Sequence, residues 1–258
     1  MLLAQLSRSV EGYVVLVTGA ASGMGEATAK LFASLGARVA LTDVNTSGLA
    51  RVVAEIRAAG ADANHWTLDV SDEHAIEQVV PQIADYFGAL DMLINNAGIA
   101  IFAAIDAPDY LAAWTRSQDI LLTAQMRMVR AALPYLRRSS NPRIVNIAST
   151  EGLGATRYAS AYTAAKHGVI GLTRALAVDL GPEGITVNCV CPGPVNTAMT
   201  ADIPAEDKIV FARRRVALKR YAEPEEIAHG VVNFCLPSSG FMTGVALPID
   251  GGLTIRNA

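Results

Sequence analysis

The stretch VVLVTGAASGMGEATAKLFASLG, residues 14–36, decides the fold. Its first part, VVLVTGA (14–20), is a continuous apolar run ending in glycine, the pattern of a strand buried on both faces. Its second part, GEATAKLFASLG (25–36), has apolar residues at helical spacing and closes on a glycine. Between them Gly19, Gly23 and Gly25 form a G-x-x-x-G-x-G loop. Glycines here permit a tight turn and let the backbone approach a pyrophosphate. The helix that follows presents free N–H groups and the positive end of its dipole. Small residues also serve plain strand–helix packing, so the loop gains its meaning from where it stands, on the first strand of a parallel sheet.

That sheet follows from the rest of the chain. RVALTDV (38–44), NHWTLDV (64–70), LDMLINNAG (90–98), RIVNIAS (143–149), ITVNCVCPG (185–193) and VALPIDGG (245–252) read as further strands. TSGLARVVAEIRAAG (46–60) and SDEHAIEQVVPQIADYFG (71–88) read as helices, the second opened by Ser71 as its cap with acids in the first turn. Two long helices are expected over 109–137 and 157–180. Apolar strands joined by helical crossovers make an α/β fold, a doubly wound parallel sheet with helices on both faces. No linker divides the chain, so residues 1–258 are expected to form one domain, with 1–10 as an N-terminal extension. Residues 194–222 are polar and irregular and include Arg213, Arg214 and Arg215. A solvated helix face accounts for those arginines, and the position after a strand's carboxyl end suits a mobile substrate lid.

Bulk properties narrow the function. With 258 residues, 52% hydrophobic and 17% charged, the chain can bury a large core. A net charge of −3 provides no basic field for a nucleic-acid backbone. No apolar run reaches the roughly eighteen residues of a membrane span, and MLLAQLSRSVEG lacks the features of a signal peptide. Cys189, Cys191 and Cys235 make no disulfide framework and read as buried thiols of a reducing, cytoplasmic compartment. The histidines, 65, 74, 167 and 229, have no metal-ligand spacing, and no metal is expected.

Two further features carry chemistry. Asp43 ends the second strand, about twenty residues past the glycine loop, where a carboxylate accepts both ribose hydroxyls and repels a 2′-phosphate. No Lys or Arg lies within AASGM or just after Asp43, which favours NAD over NADP. Tyr162 and Lys166 are four residues apart and share a helix face, and Ser149 stands at a strand end thirteen residues before Tyr162. A lysine ammonium one turn away lowers a phenol's pKa from about 10, and a serine can hold the substrate oxygen. Alone, Y-x-x-x-K is common in ordinary helices.

Together TGAASGMG (18–25), LDV (68–70), NNAG (95–98), Ser149, YTAAK (162–166), PGPVNT (192–197), EPEEIA (223–228) and DGG (250–252) resemble the short-chain dehydrogenase/reductase family over about residues 11–254. The resemblance implies a Rossmann-like sheet of about seven strands and a nicotinamide cofactor at their carboxyl ends. It gives Gly19, Ser22, Gly23, Met24 and Gly25 to the pyrophosphate, Asp69 and Val70 to the adenine, and Asn96, Ala97 and Gly98 to the cofactor cleft. Pro192, Gly193, Val195 and Thr197 would hold the carboxamide end. Ser149, Tyr162 and Lys166 would be catalytic, with Tyr162 and Lys166 also touching the nicotinamide ribose. Asn95 would be a structural link between strands, and a homotetramer would be the assembly.

The same resemblance exposes a departure. Many members of that family carry an asparagine on the helix after NNAG, holding a water that links the lysine to solvent. Counting seven on from Trp114 and thirteen back from Pro134 both reach position 121, here Leu121. Gln118 and Gln125 lie one turn either side, and either amide is placed to take over. The alternative is an NAD-binding protein with weak or no turnover. Ile99, Phe102, Leu153, Tyr158, Met199, Ile203 and Phe211 are expected around the substrate, a mostly apolar set suiting a small to medium, alicyclic or apolar secondary alcohol and its ketone. Glu151 reads as a solvated loop acid or a contact for a polar substrate group.

Overall fold

The computed structural model describes residues 6–256, so the first five positions of the expected N-terminal extension lie outside the described residues. Strands β1 (Val14–Thr18), β2 (Arg38–Asp43), β3 (Ala63–Thr67), β4 (Met92–Asn95), β5 (Arg143–Ile147), β6 (Thr186–Pro192) and β7 (Ala246–Ile249) form one sheet in the order β3-β2-β1-β4-β5-β6-β7. Every pairing is parallel; Val15 of β1, for example, stands between Val39 and Met92. The order reverses between β1 and β4, and their carboxyl ends splay into a crevice there.

Helices α1 (Gly23–Ser34), α2 (Thr46–Ala58) and α8 (Pro224–Cys235) cover one face, and α3 (Glu73–Phe87), α5 (Ala124–Leu136) and α6 (Ser160–Leu180) the other. Alternate residues of β1 serve each side. Val15 and Val17 join Phe32, Leu49 and Val231, whereas Leu16 joins Ile76, Leu93 and Met128. This two-sided burial is why the strands read as unbroken apolar runs. Truncating Leu16 or Leu93 to alanine would cost about 2–5 kcal/mol.

Three expectations need correction. The cap of α3 is Asp72, whose carboxylate accepts from the backbone N–H groups of His74 and Ala75; the Ser71 hydroxyl instead donates to Asp69. The first long helix is interrupted: α4 (Tyr110–Gln118) passes into a π-helical segment, Asp119–Thr123, before α5. The second starts at Ser160, because Tyr158 adopts a left-handed backbone (φ 66) that no helix admits.

Segment 194–222 is also more ordered than expected. It contains helix α7 (Ala205–Arg215), with Glu206 and Asp207 in the first turn and three arginines in the last, the polarity that complements a helix dipole. Its ends are pinned by a bridge between Val195 and Ala222. Among the described residues no helix is long and apolar enough to cross a membrane.

Candidate active site

A cleft of about 570 Å³ opens at the carboxyl ends of the central strands. Its floor is the β1–α1 turn. Gly19 has φ +66, and a Cβ there would come within 2.8 Å of the Ala97 Cα. A Cβ on Gly25 would meet the Gly19 carbonyl oxygen at 2.0 Å. Only glycine fits at either place, and the helix start is drawn against the strand. Asn96 stitches the turn to β4: its Nδ2 donates to the carbonyls of Thr18 (2.8 Å) and Gly19 (3.1 Å). Asn95 spans strands as expected, donating to Asn146 Oδ1 at 2.9 Å.

Of the positions expected to hold the cofactor, all line this cleft except Gly25, Asp69 and Val70. Gly25 acts through packing, Asp69 is exposed at the sheet edge, and Val70 packs into the core. Asp43 faces the cleft from the end of β2; its carboxylate accepts from the N–H groups of Ala21 (3.1 Å) and Asn45 (2.9 Å). A search for cations near Asp43 in sequence misses Arg51, which arrives from α2. Arg51 donates to the Ala21 carbonyl at 3.2 Å, but its guanidinium is engaged by Glu26 (2.6 Å) and Glu55 (2.9 Å). Only the register of α2 against the turn brings it there.

Ser149, Tyr162 and Lys166 converge on the same cleft. Ser149 follows β5 and caps a short turn, its hydroxyl accepting from the Glu151 N–H at 3.1 Å. Lys166 is buried; its Nζ lies 5.6 Å from the centre of the Tyr162 ring and donates to the Ile147 carbonyl at 2.7 Å. Burial pushes the Lys166 pKa down to about 8, against the opposing pull of Cys191 and Cys189 beneath it. Burial also raises the Tyr162 pKa, the Ser149 hydrogen bond opposes the rise, and the Glu151 charge adds to it. The expected lowering of Tyr162 by Lys166 is not found in the protein alone: burial, Ser149 and Glu151 set the Tyr162 shift, and the ammonium is directed at Ile147. The group can still pass a proton to and from an oxygen held between Ser149 and Tyr162.

On the substrate side, Ile99 and Met199 line the cleft. Phe102 stacks on Tyr162, ring centres 6.5 Å apart and planes 30° from parallel. Leu153, Tyr158, Ile203 and Phe211 are exposed and stand outside the lining. The Ala103 N–H donates to the Tyr158 carbonyl at 2.9 Å, joining the two loops at the mouth. Glu151 is engaged by the hydroxyls of Thr156 (2.7 Å) and Thr163 (3.1 Å), so its carboxylate holds the loop before α6. Leu121, fully buried, also lines the cleft and presses toward Gly98.

A family model described as enoyl-(acyl carrier protein) reductase matches residues 19–254. Meso-2,3-butanediol dehydrogenase of Serratia marcescens is 38% identical over 241 residues, covering 93% of this chain and 94% of that protein. The chain belongs to the short-chain dehydrogenase/reductase family. Cis-4-hydroxycyclohexanecarboxylate dehydrogenase of Sinomonas cyclohexanicum is 39% identical over 241 residues, 93% of this chain and 96% of that relative. The solved structure of a blue fluorescent protein from a metagenomic library, in complex with NADPH, matches with a TM-score of 0.88 at 32% identity and covers 95% of this chain and 99% of that one. As a short-chain dehydrogenase/reductase, the protein is an oxidoreductase acting on CH–OH groups with a nicotinamide cofactor, and secondary alcohols are the class its relatives' names support.

Proposed function

We propose that the protein interconverts a secondary alcohol and its ketone with NAD, on a small to medium, largely apolar or alicyclic substrate. The observation that carries this reading is the meeting of Ser149, Tyr162 and Lys166 in one cleft with the glycine cradle. The cradle fits a dinucleotide, because Gly19 and Gly25 leave no room for a Cβ and bring backbone N–H groups to the cleft. Gly19, Ser22, Gly23 and Met24 would hold the pyrophosphate, Asp43 the adenosine ribose, Asn96, Ala97 and Gly98 the inner wall, and Pro192, Gly193, Val195 and Thr197 the carboxamide. Asp69 and Val70 would flank the adenine, and Gly25 would act by packing. The nicotinamide, when bound, takes or gives the hydride.

The chain's own groups manage the proton. In oxidation Ser149 donates a hydrogen bond to the alcohol oxygen, and Tyr162, as phenolate, accepts the hydroxyl proton. Lys166 stabilises that phenolate. In reduction Tyr162 returns the proton to the carbonyl oxygen. Asp43 supports NAD over NADP, since a carboxylate repels a 2′-phosphate and the neighbouring Arg51 is engaged by Glu26 and Glu55. The NADPH of the metagenomic structure belongs to that protein. The names of the butanediol and hydroxycyclohexanecarboxylate dehydrogenases support a small or alicyclic alcohol. Segment 194–222 is the substrate lid.

Three buried free thiols suit a reducing, cytoplasmic setting. Phe241, Val245 and Leu247, exposed at and before the edge strand β7, suit burial in a homotetramer, which light scattering would read as four times the chain mass. Turnover of cyclic and acyclic secondary alcohols with NAD+ and NADP+ tests the reading. Faster turnover with NADP+ would overturn the role given to Asp43.

A further inference from the structure

One residue, Ala21, joins Arg51 of α2 to the carboxylate assigned above to the adenosine ribose. The Ala21 N–H donates to Asp43 Oδ2 at 3.1 Å, and the Ala21 carbonyl accepts from Arg51 Nη2 at 3.2 Å. Carboxylate and guanidinium therefore lie within roughly 10 Å of each other. Two contacts fix α2 in this register. Asp43 Oδ1 accepts from the Asn45 N–H at 2.9 Å, and Asn45 Oδ1 caps the helix by accepting from the Gly48 N–H at 3.0 Å. Gly48, three residues before Arg51, lets the helix come this close: a Cβ there would meet the Ala21 Cβ at 2.9 Å.

A guanidinium at this place suits a 2′-phosphate, because its planar fork matches phosphate oxygens. Here the fork is taken. Glu26 binds it in bidentate fashion, Nη1 to Oε1 at 2.9 Å and Nη2 to Oε2 at 2.6 Å. Glu55 Oε1 accepts from Nη1 at 2.9 Å. Lys30 closes the set, its Nζ 2.6 Å from Glu26 Oε1 and 2.5 Å from Glu55 Oε2. Two cations and two carboxylates leave the cluster without net charge. Glu26 is its most enclosed member, with a side chain 17% exposed against 39% for Lys30, 45% for Glu55 and 48% for Arg51. It stands in the first turn of α1, where the helix dipole favours a carboxylate. The hydrogen bond from Arg51 outweighs burial and holds the Glu26 carboxyl below the ordinary carboxylate range, so it stays charged.

We propose that Glu26 is a specificity-determining residue for the cofactor: by taking both arms of Arg51 it withholds that guanidinium from a 2′-phosphate. The inference rests on the cofactor role given above to Asp43 and adds a second barrier to NADP. Asp43 acts by repulsion, and Glu26 acts by occupying the cation that would compensate. Without Glu26, Glu55 still holds Nη1, but Nη2, the nitrogen already on the Ala21 carbonyl, has no carboxylate. With serine in place of Asp43, a phosphate hydrogen-bonded on two sides bridges a span of that order.

The test is a cycle of Asp43→Ser, Glu26→Gln and the double variant. Kd values for NADH and NADPH are read from reduced-nicotinamide fluorescence on binding, which needs no alcohol. The expected result is that Glu26→Gln, added to Asp43→Ser, tightens NADPH relative to NADH by about a further tenfold, the scale of one charge-assisted contact. Adding Arg51→Met to the double variant returns the ratio to that of Asp43→Ser. Glu26→Ala carries the same expectation, and both variants fold because partly exposed ion pairs add little to stability. A double variant that keeps the Asp43→Ser ratio would overturn the proposal. So would a gain that survives Arg51→Met, since the loss of one negative charge would then account for it. If the parent binds neither cofactor, or binds NADPH more tightly than NADH, the reading of Asp43 fails and this inference with it. If the parent prefers NADH and the cycle shows no gain, this inference alone fails.

Discussion

At Tyr162 and Lys166, burial and the proposed proton step pull in opposite directions. Enclosure excludes water from the proton step, yet it raises the phenol's pKa and lowers the ammonium's to about 8. Tyr162→Phe is expected to lower turnover by about 10²–10⁴-fold while NADH binding, followed by its fluorescence, stays close to the parent's. The lysine also leaves a mark on stability. Its pKa in the folded protein lies below the ordinary 10.5, so between pH 8 and 10.5 the unfolded chain binds more protons than the folded one. Stability from this group therefore rises with pH across that window. Denaturant melts of the parent and of Lys166→Met should show the parent gaining on the variant from pH 8 to 10.5; a constant difference would mean that Lys166 is not held in a depressed state. At Asp43, replacement by serine should shift the ratio of kcat/KM for NAD+ and NADP+ toward NADP+ by about tenfold or more, the effect of removing one like charge near a phosphate. An unchanged ratio would place cofactor choice elsewhere.

At the scale of elements, the β1–α1 cradle was legible because glycine spacing records a steric demand, and Gly19 and Gly25 meet it at 2.8 Å and 2.0 Å from backbone atoms. Strand ends were legible for the same reason that places Ser149 and Asp43: short apolar runs stop where the chain leaves the sheet. The π-helical turn at 119–123 was not legible, since DILLT has ordinary helical composition and nothing local marks the extra residue of a segment that packs on α6. The cap of α3 was misplaced by one residue because Ser71 and Asp72 are both good caps, and the carboxylate that reaches two N–H groups prevails. Helix α7 was legible only as a solvated helix face around Arg213–Arg215, and its start at Ala205 was not, although its acids and arginines are sorted by helix end. Only Ala212 of α7 is buried, so this helix has the least apolar anchoring near the cleft. Limited trypsin treatment should cut first at Arg213, Arg214 or Arg215, and NAD+ should slow the cut if 194–222 closes over the cofactor. Equal cutting rates with and without NAD+ would count against a lid.

At the scale of the whole molecule, alternating strands and crossovers gave the parallel sheet, but not its edges. Both strand order and the switch between β1 and β4 arise from where each crossover turns back, and that switch point makes the cleft. Arg51 shows the same limit, because it reaches the Ala21 carbonyl of the first turn only through the packing of α2. The proposed function is tested most directly by following reduced-cofactor absorbance with purified protein, NAD+ and a series of cyclic and acyclic secondary alcohols, with Tyr162→Phe measured beside it. NADH formation from at least one alicyclic alcohol, slower with NADP+ and lowered about 10²–10⁴-fold in Tyr162→Phe, is the predicted result. Undiminished turnover in Tyr162→Phe, or tight NAD+ binding with no oxidation of any alcohol, would contradict it.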